Sequence, residues 1–148
     1  LTLLGQNKTT AAQKVFTKLI ALRPNSPDIL LQMGNYWLLA GNTNKTSMYF
    51  RKAVAKNPNN ITLQIKLALF YANHKQYEQA ILHFFELIKQ YPKSNWSNDA
   101  KWWLAISLER TEDMGGARDI YLELERLPES NSIHYKAQRR LEELQNSK

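Results

Sequence analysis

The sequence predicts an all-α protein in which antiparallel helix pairs repeat along the chain and stack into a solenoid. The first observation is a period of 34 residues, at which phenylalanines and prolines recur: Phe16, Phe50, Phe84, Pro24, Pro58 and Pro92. The second is that apolar residues within each repeat lie three and four positions apart, which is the spacing of one helix face. The third is that short polar segments separate these runs. Repeats of this length bury their apolar faces against neighbouring repeats.

Length and composition fit one packed domain, which we place over residues 1–148. The chain is 43% apolar and 22% charged, as is ordinary for a folded protein. No apolar run approaches the ~20 residues that a membrane span needs. Because the chain has no cysteine, it can form neither a disulfide nor a catalytic thiolate, and it suits the bacterial cytoplasm and the periplasm equally well.

The first repeat, at about residues 1–26, is predicted to be incomplete. Thr9 or Thr10 can cap a helix that ends at Pro24, whereas only the tail of the preceding helix precedes it. We therefore expect the chain to be a fragment of a longer protein.

The next two repeats, 27–60 and 61–94, are each predicted to be a complete helix pair. In the first of them the helices run from Asp28 to Ala40 and from Thr43 to Lys56, joined by a tight turn at Gly41. In the second, the predicted helices run from Ile61 to Asn73 and from Tyr77 to Tyr91.

The fourth repeat, 98–130, follows a slip in phase of three residues. A loop over residues 93–98 absorbs the slip, after which a shift of 37 pairs Leu67 with Leu104 and Phe84 with Tyr121. A single apolar stripe then predicts a capping helix over residues 131–146. The stripe consists of Ile133, Ala137, Leu141 and Leu144.

This arrangement resembles the tetratricopeptide repeat family over nearly the whole chain. The resemblance is carried by small residues in both helices, by aromatic residues four positions later and by the terminal prolines. The small and aromatic residues are Gly34, Ala68, Ala105, Ala12, Ala80, Ala117, Phe16, Phe50, Phe84 and Tyr121. The resemblance implies a right-handed solenoid that binds proteins without catalysis. The extended loop Tyr91-Pro92-Lys93-Ser94, followed by Asp99-Ala100, is also similar to repeats of bacterial cell-envelope assembly proteins.

No catalytic, metal or cofactor site is predicted. His74, His83 and His134 do not have the spacing of metal ligands. The pair Gly115-Gly116 begins a helix but lacks the pattern of a phosphate-binding loop. We therefore predict that the chain is not an enzyme and that it binds no cofactor.

The resemblance implies that the first helix of each pair lines a concave groove, and here these helices are unusually apolar. We expect the groove to bind a protein or peptide segment, with Glu109 and Arg110 selecting it by charge. The residues expected to face inward are Leu31, Asn35, Leu38, Ile65, Leu69, Asn73, Trp102, Ile106 and Arg110. The alternative is that these side chains pack within the array. Trp102 and Trp103 point about 100° apart on a helix, so at least one should reach the groove or an edge.

Charge is distributed unevenly. Residues 1–57 contain eight basic residues and one acidic residue, whereas residues 99–148 contain eight basic and ten acidic residues. An alternative function is therefore binding of RNA or an anionic membrane surface by a basic convex face formed by Lys14, Lys18, Arg51, Lys52 and Lys56. Within this alternative, we do not expect the chain to bind nucleic acid, because no aromatic residues interleave with these cations and the inner columns are aliphatic. A third alternative is self-association as a homodimer through the incomplete first repeat.

Overall fold

The computed structural model describes residues 14–24 and 26–146. These residues form helices and contain no strand, which confirms the predicted all-α class. In chain order the helices are α1 over residues 14–22, α2 (Pro27–Leu39), α3 (Thr43–Lys56), α4 (Ile61–Asn73), α5 (Tyr77–Gln90), α6 (Ser97–Arg110), α7 (Met114–Glu125) and α8 (Ser132–Asn146). The predicted cap at Thr9 or Thr10 lies outside the described residues.

The helix bounds agree closely with those that the spacing predicts. The helix α2 begins and ends one residue earlier than expected, α3 and α4 have the expected bounds, and α5 ends at Gln90 instead of Tyr91. The loop before α6 was expected to extend to residue 98, but the helix already begins at Ser97. The structure therefore places the three-residue slip in a shorter loop.

The chain divides into two compact units, residues 1–67 and 68–148, with the boundary inside α4. In the first unit, α2 and α3 pack against each other around Leu30, Ala53 and Leu63. The small residue Gly34 is buried against the ring of Phe50, as the resemblance implies. Because Gly34 has no side chain, the Phe50 ring of α3 can lie directly against the backbone of α2.

The second unit is built around the small and aromatic residues of α6, α7 and α8. Ala105, Ala117 and Tyr121 are each fully buried. The predicted stripe of α8 closes this core, because Ile133, Ala137 and Leu141 are buried and Leu144 packs at its edge. The core contains these residues together with Leu124. The capping helix thus shields the last repeat from water.

The turns inside the three described helix pairs share one backbone feature. Gly41, Lys75 and Glu112 all adopt positive φ, at 73°, 60° and 66°. They are 34 and 37 residues apart, which is the spacing of the repeats. Glycine adopts this left-handed conformation without strain, whereas lysine and glutamate pay a steric cost of about 1 kcal/mol or more.

Replacing Lys75 with glycine is therefore expected to stabilise the protein by about 1 kcal/mol, measured by urea denaturation. Glu112→Gly should act in the same direction. The matched control is Gly41→Ala, whose added methyl would have no atom within 4 Å, so that its destabilisation reports the backbone alone. A loss of stability in Lys75→Gly would contradict this interpretation of the turn.

Candidate partner-binding surface

The second unit contains a cavity of about 460 Å³ between α6 and α8. Its α6 wall includes Trp102, Ile106 and Arg110, which the sequence predicted to face a partner. These residues recur every four positions and so lie on one face of the helix. The α8 wall is charged and consists of Lys136, Arg139, Arg140 and Glu143. The α6 wall thus combines the apolar Trp102 and Ile106 with charged residues, whereas the α8 wall is wholly charged and rich in cations.

Trp102 is held at the edge of the cavity by aromatic packing. Its ring centroid lies 5.4 Å from that of Tyr121, at an interplanar angle of 57°. The Lys136 ammonium lies 6.0 Å from the centre of the Trp102 ring, within the range of a cation–π contact. Both Trp102 and Trp103 are half-buried, as expected for neighbours that point in different directions on a helix. Trp102 therefore packs against Tyr121 and still presents surface to the cavity.

Glu109 joins three helices through its carboxylate. The Tyr121 hydroxyl donates a hydrogen bond of 2.5 Å to Glu109 Oε1. The guanidinium of Arg140 donates from Nε to Oε1 at 2.8 Å and to Oε2 at 3.1 Å, and a further hydrogen bond runs from Nη2 to Oε2. Arg140 also donates from Nη1 to Glu143 Oε2 at 2.7 Å. These contacts tie α6 to α7 and α8.

The network changes the pKa of each of its members. Burial alone would raise the pKa of Glu109, but the hydrogen bonds from Arg140 and Tyr121 outweigh it, and the pKa lies below its usual value. Burial and the Glu109 hydrogen bond raise the pKa of the Tyr121 hydroxyl. The hydrogen bond to Glu109 raises the pKa of Arg140. Glu109 is therefore ionised and Tyr121 neutral throughout the physiological range.

Glu109 is consequently unavailable for selecting a partner, and that expectation is wrong. Glu109 is only 9% exposed, and its carboxylate accepts hydrogen bonds from Tyr121 and Arg140. Two cations remain beside the cavity, Arg110 and Lys136, and neither has a carboxylate within 4 Å among the described residues. These two side chains therefore supply positive charge at the cavity that no adjacent carboxylate of the described structure neutralises.

The contribution of α8 to the cavity was missed in the sequence, which assigned this helix to capping alone. A signal was present: Lys136, Arg140 and Glu143 lie four and three residues apart and form a second, polar stripe beside the buried one. Spacing within α8 could not show that this stripe faces Trp102. That fact depends on how α8 packs against α6 and α7.

The other predicted partner-binding residues differ in the surface that they offer. In the first unit, Leu31 and Asn35 are half-buried, with Leu31 packed against the core, and Leu38 is 41% exposed. Ile65 is buried and offers little surface. In the second unit, Leu69 is half-buried and Asn73 is exposed. Of these six residues one is buried, three are half-buried and two are exposed, so they do not form one uniformly accessible surface.

The five basic residues that the sequence assigns to a convex face all lie in solvent. Lys14 and Lys18 on α1 and Arg51, Lys52 and Lys56 on α3 are exposed. The Lys52 ammonium lies 5.7 Å from the ring centre of Tyr49 on its own helix. An aromatic side chain therefore does accompany one of these cations, contrary to the sequence-based argument that none does.

No group of three or more His, Cys, Asp or Glu side chains within the described residues is placed to hold a metal ion. None of the helices in the described part of the chain has the length and apolar character to cross a membrane.

Comparisons with known proteins place the fold. Residues 41–144 match the family profile of the tetratricopeptide repeat. No curated protein matches the chain in sequence. Among solved structures, YrrB, a tetratricopeptide repeat protein with an unusual peptide-binding site, is 15% identical and superposes with a TM-score of 0.70. That match covers 92% of this chain and 69% of YrrB.

Two further structures share the fold. The N-terminal domain of stress-induced protein-1 from C. elegans is 15% identical, with a TM-score of 0.68 over 80% of this chain and 94% of that domain. The MamA protein is 17% identical, with a TM-score of 0.66 over 77% of this chain. The matched part spans only 61% of that MamA chain.

Proposed function

Because the chain belongs to the tetratricopeptide repeat family, we propose that it is a non-catalytic scaffold that binds a segment of a partner protein at the cavity between α6 and α8. The observation that carries the proposal is the position of Trp102, a half-buried aromatic side chain that packs on Tyr121 beside two cations with no carboxylate within 4 Å in the described structure. Buried aromatic anchors dominate the energetics of most protein interfaces.

The chemistry of the cavity favours a segment that combines an apolar side chain with carboxylates. Trp102 and Ile106 offer apolar surface, and Arg110 and Lys136 offer hydrogen-bond donors of positive charge. Arginine binds a carboxylate through two parallel hydrogen bonds, which fixes orientation as well as charge. The cavity of about 460 Å³ falls within the range of pockets that enclose a few side chains.

Each unit contains further residues that the sequence predicts to contact a partner. Leu69 and Asn73 in the second unit, and Leu31, Asn35 and Leu38 in the first, would supply further contacts along the helices. YrrB, built on the same fold, has a peptide-binding site, which supports a peptide as the class of ligand. The similarity of the loop before α6 to repeats of bacterial envelope-assembly proteins makes such an assembly the first place to search for the partner.

Selection of peptides from a displayed random library on the full chain tests the proposal. We expect the selected peptides to contain an apolar or aromatic residue near aspartate or glutamate. Their dissociation constants, measured by fluorescence anisotropy, should rise about 30-fold for Trp102→Ala, equivalent to about 2 kcal/mol. Arg110→Ala should weaken binding without disturbing the core, because that side chain is exposed.

Lys14→Ala is the matched control, since it removes an exposed cation from the first unit. It should leave the dissociation constant unchanged, and circular dichroism should show every variant folded. Peptides that bind the Trp102 and Arg110 variants as tightly as the parent chain would rule out this cavity as the site.

A second candidate function rests on the five exposed cations of α1 and α3, and self-association is a third. Val15, Leu19 and Leu22 of α1 are exposed at 57%, 39% and 77%, which supports contact with another copy. The two can be told apart directly. Affinity for a single-stranded oligonucleotide that falls steeply with salt favours the cationic surface, and a molar mass that rises with concentration favours the homodimer.

A further inference from the structure

A second groove lies on another face of the second unit, between α5 and α7. It encloses about 410 Å³, and its floor is α6. Both walls pack against α6 but hardly against each other, so they leave an open channel between them. The lining is almost wholly apolar and includes Ile81, Phe85, Ile88, Leu104, Leu108 and Ile120. Neither the repeat period nor the proposed function accounts for this groove.

The lining residues define the direction of the groove. Ile81, Phe85 and Ile88 lie four and three residues apart, so they form one stripe along α5. Gly116, Ile120 and Glu123 form the same pattern on α7. Each stripe covers eight residues, or about 10 Å from the first Cα to the last at the rise of an α-helix. The groove therefore runs along the helices for about two turns, which is the length of contact that one short helix offers.

The rim of the groove exposes more apolar surface than packing requires. Phe85 is 58% exposed although it lines the groove, and Leu82 on the same helix is 67% exposed. Single exposed apolar residues are common on protein surfaces. A large aromatic side chain left open beside an apolar channel is characteristic of an interaction site.

Charge is confined to one end of the groove. Lys89, Lys101 and Glu123 are the charged residues of its lining. The Lys101 ammonium and Glu123 Oε1 form an ion pair of 2.5 Å, and Lys89 has no carboxylate within 4 Å in the described part of the chain. One positive charge is therefore left over at this end, while the opposite end, at Ile81 and Leu108, is apolar.

We propose that this groove binds an amphipathic helix of a partner protein, with apolar side chains along Phe85, Ile88 and Ile120 and an acidic residue at Lys89. The apolar stripe of such a helix repeats every three and four residues, as the walls do. The surplus charge at one end selects an acidic residue and fixes the direction of the helix. The groove is open along its length, which suits a helix that keeps its polar face in water.

The test uses the full chain and a designed peptide that is held helical by side-chain lactam bridges. The peptide has leucines four and three residues apart and a glutamate next to one end of this stripe, and a second version has the glutamate at the other end. A third has lysine in place of glutamate. We expect one glutamate peptide to bind in a fluorescence anisotropy titration, with affinity about tenfold weaker for Phe85→Ser.

The charge is tested by reversal. Lys89→Glu should weaken binding of the glutamate peptide and strengthen that of the lysine peptide, because it exchanges attraction for repulsion. Phe85 and Lys89 are exposed, so both variants should fold, as circular dichroism will show. Arg110→Ala is the control for the cavity between α6 and α8 and should not change binding here.

Several outcomes would overturn the proposal. The first is failure of both glutamate peptides to bind, and the second is equal affinity for the parent chain and Phe85→Ser. A loss of binding in Arg110→Ala instead would assign the peptide to the other cavity. A concentration-dependent dimer that Phe85→Ser abolishes, without peptide binding, would make a second copy the occupant. Displacement of the peptide by dodecanoate at low concentration would make a fatty acid the occupant of the groove.

Discussion

Replacing Arg140 with methionine is expected to destabilise the protein by about 2 kcal/mol in urea denaturation at pH 7. The reason is the carboxylate of Glu109, which is 9% exposed and would lose the guanidinium that compensates its charge. Without the guanidinium, the nearly buried carboxylate keeps only the hydrogen bond from Tyr121. The Arg140 side chain is 36% exposed, so water can reach the site and limits the loss of stability. Methionine keeps an apolar side chain in place of the arginine stem, so the loss of stability reports the removal of the charged guanidinium.

The same variant should change how stability depends on pH. In the parent chain the folded-state pKa of Glu109 is below its usual value of 4.5, so its contribution is present above that pH. This contribution is lost as the pH falls through the folded-state pKa. In Arg140→Met the lowering contact is gone, and protonation of Glu109 relieves the buried charge. The difference in stability between the two proteins should therefore narrow from pH 7 to pH 3.

Arg139→Met is the matched control for this prediction. Arg139 is the neighbouring arginine and donates to Glu143 at 3.1 Å, but both side chains lie at the surface. Exposed pairs of this kind contribute little, so the control should unfold almost as the parent chain does. Equal stability of the two variants at pH 7 would contradict a structural role for the Glu109 network.

Gly34→Ala is expected to destabilise the first unit by about 3 kcal/mol. An added Cβ would lie 2.2 Å from Cδ1 and 2.3 Å from Cε1 of the Phe50 ring. Phe50 is 3% exposed, so its ring cannot move away without displacing the core. Alanine stabilises a helix by about 1 kcal/mol relative to glycine. A net loss of stability would therefore mean that the clash with Phe50 costs more than this gain.

Gly115→Ala is the control for intrinsic helix preference. Its added Cβ would meet only Asp113 Oδ1 at 3.8 Å, an ordinary contact. This variant should be as stable as the parent chain or more so. The double variant of Gly34→Ala with Phe50→Leu should recover part of the lost stability, because the smaller side chain makes room. If the Gly34→Ala variant unfolds at the same urea midpoint as the parent chain, α2 and α3 do not approach as closely as described.

The fold was largely predictable because it depends on spacing. A helical repeat buries the same positions in every repeat, so the small and aromatic residues at Gly34, Phe50, Ala80 and Phe84 could be assigned to the core from the sequence alone. The turns were predicted from loop residues, and the left-handed residue was evident only at Gly41. Lys75 and Glu112 adopt the same conformation without a glycine signal, because the turn geometry imposes it.

The candidate sites were less predictable, because they depend on side chains that meet across helices. Trp102, Ile106 and Arg110 share a helix face and could be grouped by spacing alone. The pairing of Glu109 with Arg140 joins residues 31 positions apart, and no local pattern distinguishes it from an exposed acid and an exposed base. The groove beside Phe85 was missed for the same reason, since its walls belong to helices that are not consecutive.

The central claim, that Trp102 anchors a bound protein segment, is tested most directly by NMR of the indole N–H groups. The chain has four tryptophans, and a selected peptide can be titrated into the labelled full chain. We predict a saturable shift of the Trp102 resonance, assigned by substitution, and no shift for Trp96, which is 49% exposed in the loop before α6. A bound peptide that shifts Trp37 or Trp96 and leaves Trp102 unchanged would contradict the claim.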